Sequence, residues 1–256
     1  MRNETRRALE ADEPALGAWT LSMSPRAAEA LAATGMDWVG IDTEHAPVND
    51  ETVEGMIRGA ERGGATPLVR LPSVGAAADG AAKRALDSGA GGVIVPGVES
   101  PEAAERAVRA ARFPPRGDRG VAGTTRANEY GTAFEEYVRE ARRETLLIVQ
   151  IESAVAVDRV EAILGVEGID VAFVGENDLS ATYGHPGEKD HPEVRAAVEE
   201  VLATARANDV VPGIGGRTPE RLRERIERGF RFFLLGADLS FMREGVAPFL
   251  DAVQKD

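Results

Sequence analysis

Two acidic residues in the middle of the chain each follow an apolar run of strand length. Glu152 comes directly after LLIVQI (146–151), and Asp178 lies four residues after VAFV (171–174). Side chains alternate along a strand, so Gln150 and Glu152 should point to the same side. If the two runs are neighbouring parallel strands, about 4.8 Å apart, both carboxylates meet at one end of the sheet. Carboxylates combined with substrate oxygens hold Mg²⁺ or Mn²⁺, so the pattern predicts a divalent metal site. The alternative is that both acids cap helices or face solvent.

A histidine and an arginine follow two other apolar runs. His45 belongs to IDTEHAP (41–47), and a histidine can exchange protons near neutral pH, which suits a catalytic base. The alternative is a histidine that only stabilises a turn. Arg70 ends PLVR and should be partly buried, which requires an anionic partner. That partner is either a substrate carboxylate or enolate, or a structural acid.

The lysines argue against covalent catalysis. Schiff-base aldolases need a lysine in an apolar pocket, but Lys83 lies in a helical pattern, Lys189 in a polar loop and Lys255 at the terminus. Any carbanion chemistry would therefore need a metal to accept the charge. The remaining histidines, His185 and His191, lie in a Gly/Pro-rich loop and are interpreted as structural or surface residues.

The composition excludes several classes of function. The chain has no cysteine, so disulfides, thiolate zinc sites and cysteine nucleophiles are absent. A net charge of −13 argues against a nucleic-acid partner, which needs a basic face. No apolar run approaches the roughly 20 residues that span a bilayer, and the charged start does not resemble a secretory signal. We therefore expect a cytoplasmic protein without a membrane partner.

Eight short apolar runs alternate with helical patterns along the chain. The predicted strands are 16–19, 38–41, 67–71, 92–96, 146–151, 171–174, 211–214 and 232–235. Such alternation predicts parallel strands with right-handed crossovers, and eight units predict one closed (β/α)8 TIM barrel of class α/β. An open doubly wound sheet is the alternative, but no GxGxxG follows the first run.

The helix signals support this division of the chain. Ser24, Ser100 and Thr218 each precede a proline, which predicts a helix start, and Gly35, Gly63, Gly89 and Gly229 are expected at helix ends. Further helices are predicted at 49–62, 74–88, 132–143 and 241–255. Residues 1–256 are read as one barrel domain, with 1–14 a loosely ordered or helical N-terminal extension.

Five motifs together resemble a known family. They are IDTEHAP (41–47), PLVRLP (67–72), FPPRGDRGV (113–121), VQIES (149–153) and GENDLSATYG (175–184). They resemble the class II, metal-dependent 2-keto-3-deoxy acid aldolases of the HpcH/HpaI aldolase/citrate lyase type. These include the 2-dehydro-3-deoxyglucarate and 4-hydroxy-2-oxo-heptane-1,7-dioate aldolases. RANEYGT (126–132) is closer to the glucarate branch.

This resemblance implies a site and an assembly. It implies Mg²⁺, Mn²⁺ or Co²⁺ held at Glu152 and Asp178, His45 as catalytic base, and Arg70 steadying an enolate. Asp87 matches the acid that raises the basicity of the histidine. The expected substrate contacts are Gln150, Gly175, Asn177, the backbone of Asp178, and Trp19. It also implies a homohexamer, a trimer of dimers that exchange their last helix.

One residue departs from the pattern. Glu176 stands where relatives commonly have proline, which fixes φ, so we expect a less rigid loop and an added negative charge. The predicted reaction is reversible cleavage of a 2-keto-3-deoxy sugar acid to pyruvate and an aldehyde. The alternatives are a CoA-thioester lyase of the malyl-CoA or citryl-CoA type, and a catalytically silent barrel that serves as a binding or assembly protein.

Overall fold

The structure, a computed structural model, describes residues 3–253 and contains a closed barrel of parallel strands. Each strand pairs with the next along the chain, and β8 pairs with β1. The strands are β1 Ala15–Thr20, β2 Trp38–Asp42, β3 Thr66–Arg70, β4 Gly92–Val95, β5 Leu146–Ile151, β6 Val171–Val174, β7 Val211–Gly215 and β8 Phe232–Ala237. The predicted (β/α)8 barrel is confirmed, and the open sheet is wrong.

Helices surround the barrel and connect its strands. They are α1 Glu4–Glu10, α2 Pro25–Ala32, α3 Asp50–Gly63, α4 Val74–Ala76, α5 Ala82–Asp87, α6 Pro101–Ala111, α7 Phe134–Glu144, α8 Ala154–Asp158, α9 Val160–Leu164, α10 Glu176–Thr182, α11 Pro192–Ala207, α12 Pro219–Arg228 and α13 Asp238–Asp251. A π-helical turn, Ala77–Ala81, and a 3₁₀ segment, Arg126–Gly131, complete the set. None of the helices within residues 3–253 is long and apolar enough to cross a membrane.

Three predicted helix starts are confirmed. The hydroxyls of Ser24, Ser100 and Thr218 each accept a hydrogen bond from a backbone N–H three residues later. These bonds satisfy a donor that the first helical turn leaves free, and the following proline has no N–H to satisfy. The local sequence was therefore sufficient to predict these starts.

Some predicted helix boundaries are wrong. Gly63 is the last residue of α3, as expected, one residue beyond the predicted end at 62, and Gly64 follows it as the cap with φ of 97°. The predicted helix 74–88 is interrupted because Gly80 adopts φ of 101°, which a glycine reaches at little cost. The last helix begins at Asp238, three residues before the predicted 241, and its predicted end at Lys255 lies outside the described residues.

Aromatic rings fill the barrel interior below the mouth. Trp38 stacks on Phe232 with centroids 4.5 Å apart, and the edge of Trp19 meets Trp38 at 5.8 Å. Two glycines make room for the indoles. A Cβ at Gly17 would lie 2.1 Å from the Trp38 ring, and one at Gly40 would lie 2.2 Å from the Trp19 ring.

The first helix closes the amino-terminal end of the barrel. Asn3 donates from Nδ2 to the carbonyls of Gly91, at 2.9 Å, and Glu144, at 2.8 Å. Thr5 donates from its hydroxyl to the carbonyl of Asp37 at 2.8 Å. Gly91 and Asp37 immediately precede β4 and β2, so these bonds attach α1 to the strand starts.

The last helix carries exposed apolar side chains, which we call the apolar face of α13. Phe249 is 76% exposed and Met242 is 66% exposed. Its other members are Leu239, Val246 and Leu250. An exposed apolar surface of this kind is typical of an interaction site.

Candidate active site

The carboxyl ends of the strands surround a cavity of about 300 Å³ that contains most of the predicted site residues. Seven predicted residues line it: Trp19, His45, Arg70, Gln150, Gly175, Asn177 and Asp178. Side chains from parallel strands converge at this end because every strand runs in the same direction. Glu152 adjoins the cavity through its bond to Gln150, whereas Asp87 lies elsewhere.

Glu152 is held by three close neighbours. The side-chain amide of Gln150 donates to Glu152 Oε2 at 2.7 Å, as expected for two residues on one side of a strand. The backbone N–H of Gly97 donates to Oε1 at 2.7 Å. Directly after β6, a Cβ at Gly175 would lie 2.7 Å from Oε2, so only glycine leaves space for this carboxylate.

Three carboxyl groups lie within electrostatic reach of one another. Burial raises the pKa of Glu152 to about 7; the Gly97 N–H opposes this rise, and the charges of Glu44 and Asp178 add to it. Burial likewise raises the pKa of Glu44, where Arg70 is the main opposing group. Mutual repulsion of this kind is relieved when a cation binds between the groups.

The donor set fits a hard divalent cation. Glu152 directly follows β5, Asp178 lies in the first turn of α10 after β6, and both offer carboxylate oxygens. Gln150 Oε1 is buried and has no hydrogen-bond partner among residues 3–253. Oxygen ligands of this type suit Mg²⁺ or Mn²⁺. Glu44 follows β2 at the same end of the barrel and was not among the predicted ligands.

Arg70 is fixed from three sides. Its Nε donates to Asp42 Oδ1 at 2.9 Å and its Nη2 to Oδ2 at 2.7 Å. Its Nη1 lies 3.1 Å from Glu44 Oε2, and its guanidinium lies 4.5 Å from the ring centroid of Trp19. The sequence left two alternatives for the anionic partner of Arg70, a substrate group or a structural acid. The structure shows a structural acid, Asp42, and the Arg70 side chain also lines the cavity.

His45 and Asp87 lie at opposite ends of the barrel. The His45 side chain is 64% exposed at the carboxyl end of β2, and its nearest acid is Glu44, at 3.8 Å. Asp87 ends α5, which leads into the start of β4, and it binds Arg119 at 2.6 Å. The two rims are separated by the length of a strand, roughly 15 Å. Within one chain, Asp87 is not in position to orient His45.

Glu176 does not leave an unbalanced negative charge, contrary to expectation. Arg225 binds it from Nη1 at 2.8 Å and from Nη2 at 2.5 Å, and both side chains are buried. Arg225 also donates to the carbonyl of Gly215. This ion pair connects the first turn of α10 to α12. The chain therefore holds the loop after β6 with an ion pair at position 176, where a proline would instead restrict the backbone.

The structure brings Lys189 into the cavity wall, beside Arg217, Arg221 and Arg225. The side chain is half-buried, and this burial lowers its pKa; Glu176 opposes the effect, and the three arginines add to it. No local pattern indicated this position for Lys189, because the lysine lies in a loop far from any strand end.

The two remaining histidines stabilise the loop between α10 and α11. Their rings stack with centroids 3.4 Å apart. His185 Nε2 lies 3.0 Å from Glu193 Oε2, and His191 accepts from the Glu193 N–H at the start of α11. Within residues 3–253 these three form the one group of three or more potential metal ligands whose ligand atoms all lie within 4.8 Å of one another. Their contacts agree with the structural interpretation.

Comparison with known proteins gives consistent matches. The profile described as HpcH/HpaI aldolase/citrate lyase matches residues 15–244. A 5-keto-4-deoxy-D-glucarate aldolase from Escherichia fergusonii is 37% identical over 253 residues, which is 99% of this chain and 97% of the relative. A crystal structure of an HpcH/HpaI aldolase/citrate lyase family protein from Burkholderia cenocepacia J2315 is 38% identical, with a TM-score of 0.90, and covers 99% of this chain and 100% of that one. An HpcH/HpaI aldolase from Desulfitobacterium hafniense DCB-2 is 29% identical, with a TM-score of 0.89 over 98% of this chain and 96% of that one.

Proposed function

The chain belongs to the HpcH/HpaI aldolase/citrate lyase family, and from this premise we propose that it reversibly cleaves a 2-keto-3-deoxy sugar acid into pyruvate and an aldehyde. It is a metal-dependent aldolase, a carbon–carbon lyase that acts on a small keto acid. The observation that carries the substrate proposal is the convergence of Glu44, Glu152 and Asp178 beside the fixed guanidinium of Arg70.

Glu152 and Asp178 are the metal ligands in this proposal, with Mg²⁺, Mn²⁺ or Co²⁺ as the candidate ions. A bound divalent cation would polarise the keto group and stabilise negative charge on its oxygen. The carboxylate of Glu152 is already aligned by Gln150 and Gly97, so metal binding would require little rearrangement of the side chain.

The pyruvate half of the substrate lies over the ends of β5 and β6. Gln150, Asn177 and the backbone at Gly175 and Asp178 contact it, and Trp19 covers it from the side. All five residues line one cavity, which supports this assignment.

His45 accepts the proton of the C4 hydroxyl. The C4 oxygen then forms the aldehyde carbonyl, the C3–C4 bond breaks, and its electron pair becomes the enolate of pyruvate. Arg70 donates hydrogen bonds to the enolate, and Asp42 has already oriented it for that purpose. Protonation at C3 completes pyruvate.

The role implied for Asp87 requires a second chain, since one chain keeps it on the opposite rim from His45. We propose a homo-oligomer, a trimer of dimers that exchange the last helix, and the apolar face of α13 supports it. A cytoplasmic location stays a prediction from the sequence.

The two alternatives have less support. Relatives that are 36–37% identical over 253 residues are named aldolases, which favours aldol cleavage over a CoA-thioester lyase. A catalytically silent barrel would not need to keep His45, Arg70, Glu152 and Asp178 around one cavity.

Pyruvate release from 2-keto-3-deoxy acids of five, six and seven carbons tests the proposal. We expect release with Mg²⁺ or Mn²⁺, none with excess EDTA, and none from Glu152→Ala in either condition. Release that survives both EDTA and Glu152→Ala would overturn the mechanism. The absence of release from every acid would overturn the substrate class.

A further inference from the structure

Two of the three histidines of the chain lie side by side and away from the proposed reaction. His185 and His191 belong to the loop between α10 and α11, and neither lines the cavity at the barrel mouth. Glu193, in the first turn of α11, adjoins both rings. The ligand atoms of these three side chains all lie within 4.8 Å of one another, close enough to share one ion.

The spacing of these atoms resembles that of a tetrahedral metal site. His185 Nε2 lies 3.0 Å from Glu193 Oε2, and His191 Nδ1 lies 3.6 Å from the same oxygen. Zinc binds nitrogen and carboxylate oxygen at about 2.0–2.2 Å, so its neighbouring ligand atoms are about 3.4 Å apart in a tetrahedron. The two measured distances lie on either side of that value. Rotation of the side chains, with the stacked rings tilting apart, would bring all three atoms to one ion.

A metal would replace only weak contacts at this position. His191 Nδ1 accepts the Glu193 N–H at 3.4 Å, which is long for a hydrogen bond. The contact between His185 and Glu193 involves a carboxylate that is 60% exposed, so it contributes little free energy. The carboxylate also offsets the positive end of the α11 helix dipole, which would otherwise repel a cation. All three ligands are accessible to an ion from solvent.

The backbone holds the loop in place before any metal binds. The His185 N–H donates to the carbonyl of Ser180 at 2.8 Å, and the Gly187 N–H donates to Ser180 Oγ at 3.0 Å. Ser180 belongs to α10 and is fully buried. The His191 N–H donates to the carbonyl of Glu188 at 3.0 Å, and His191 caps α11. Because the ligands are already placed, binding costs little ordering of the chain.

We propose that His185, His191 and Glu193 form a second metal site, which binds a transition-metal ion such as Zn²⁺, Co²⁺ or Ni²⁺. Imidazole nitrogens suit these ions, whereas Mg²⁺ prefers oxygen ligands such as the carboxylates at the barrel mouth. Water fills the fourth position. The ion links the end of α10 to the start of α11 and fixes the loop between them. That loop includes Lys189, which lines the cavity, so the site stabilises one wall of the barrel mouth.

Equilibrium dialysis of the untagged protein against Zn²⁺ counts the sites. Glu152→Gln is the starting protein, because it removes a ligand of the proposed hard-cation site. We expect it to retain one Zn²⁺ per chain. Adding His185→Gln or Glu193→Gln should weaken this binding by at least about tenfold, since loss of a ligand should cost no less than loss of a group that supports one. Absence of bound Zn²⁺ in the starting protein, or unchanged affinity in both double variants, would overturn the proposal.

The matched control is His45→Gln in the same Glu152→Gln protein. It removes the third histidine, which lies at the barrel mouth, and should leave the Zn²⁺ affinity unchanged. Loss of binding in this control alone would place the ion at the mouth and overturn the second site. Circular dichroism of the metal-free proteins checks that each is folded. Glu193→Gln replaces an exposed carboxylate by an amide of the same shape, so it tests the site even if a histidine variant unfolds.

Amide hydrogen exchange locates the ion independently of its affinity. Zn²⁺ should slow exchange within residues 183–193 of the Glu152→Gln protein, because a link between α10 and α11 opposes local opening of the loop. The slowing should disappear when His185→Gln is added. Slowing that occurs only elsewhere, or that persists without His185, would overturn the proposal. Pyruvate release plays no part in either measurement, so the second site and the proposed function stand or fall separately.

Discussion

Arg70 donates one hydrogen bond to each carboxylate oxygen of Asp42, at 2.9 Å and 2.7 Å, inside the mouth of the barrel. Asp42 is almost fully buried, and Trp19 covers one face of the guanidinium. The direction of Arg70 is thus set before any substrate arrives. A donor that needs no reorganisation during the reaction is the kind that stabilises a developing enolate most.

Asp42→Asn should therefore impair catalysis more than binding. The amide cannot accept two charged hydrogen bonds, so Arg70 loses its fixed direction, and we expect kcat to fall by about tenfold to a hundredfold with a smaller change in KM. Steady-state kinetics of pyruvate release measure this split. Combining the change with Arg70→Lys should cost little more than Arg70→Lys alone; fully additive losses would show that Asp42 does not act through Arg70.

Metal binding should stabilise the protein through Glu152 and Asp178. A ligand that binds only the folded state adds stability according to its concentration and affinity, so Mn²⁺ should raise the Tm of the wild type. Glu152→Gln should abolish that rise without lowering the Tm of the metal-free protein, because it removes a repelled carboxylate. Differential scanning fluorimetry with and without EDTA measures both. An equal Mn²⁺ response in the variant would exclude Glu152 as a ligand.

The raised pKa of Glu152 has a defined pH signature. The pKa of Glu152 in the folded protein, about 7, lies above its ordinary value of 4.5. The protonated carboxyl therefore stabilises the folded state at low pH, and this stabilisation is lost as the pH rises from 4.5 to about 7. The metal-free protein should lose stability across this range, while metal affinity should increase because the bound carboxylate is deprotonated. Calorimetric titration with Mn²⁺ at several pH values tests this. Affinity that does not change between the two pKa values would contradict it.

The buried pair of Glu176 and Arg225 should show strong coupling. Arg225→Met leaves an unpaired buried carboxylate, and we expect a loss of about 3–5 kcal/mol in the free energy of unfolding. Replacing both residues, as Glu176→Leu with Arg225→Met, should recover most of that loss because no charge stays buried. Urea denaturation of the wild type, Arg225→Met, Glu176→Leu and the double variant gives the coupling energy. A double variant as unstable as Arg225→Met would argue against a direct pair.

The apolar face of α13 should be an interface between subunits. Phe249→Glu places a charge where we expect an apolar contact, so the assembly should dissociate into smaller species. Light scattering after size-exclusion chromatography measures the mass. The matched control is Val121→Glu, an exposed apolar residue on the loop after α6 and away from α13, which should keep the wild-type mass. A wild-type protein that is already monomeric would contradict the proposed assembly.

The sequence was sufficient to predict the features that depend on residues close together in the chain. All eight strands were apparent as apolar runs, and the Ser-Pro and Thr-Pro starts of α2, α6 and α12 follow from the bonding of the first helical turn. Glu152 and Asp178 were predicted as metal ligands because residues that follow successive parallel strands lie at one rim of the barrel. The first-turn bonds depend only on nearby residues, and the parallel order follows from the alternation of strands and helices along the chain.

The sequence did not reveal contacts between distant segments. Glu176 and Arg225 are 49 positions apart, and nothing in either local stretch indicates the other. Lys189 reaches the cavity only because its loop folds over the barrel mouth. The position of Asp87 could have been anticipated, since a residue at the end of a helix that enters a strand lies at the amino-terminal rim.

The packing of Gly17 and Gly40 against two indoles limits how the pocket can be redesigned. Trp19 supports Arg70 from above the aromatic layer, and its ring occupies the space that a side chain at Gly40 would fill. A smaller residue in place of this tryptophan would open a void next to a glycine that cannot fill it. Libraries that aim at new aldehydes should therefore leave β1 and β2 unchanged, and diversify the loops that follow β6 and β7.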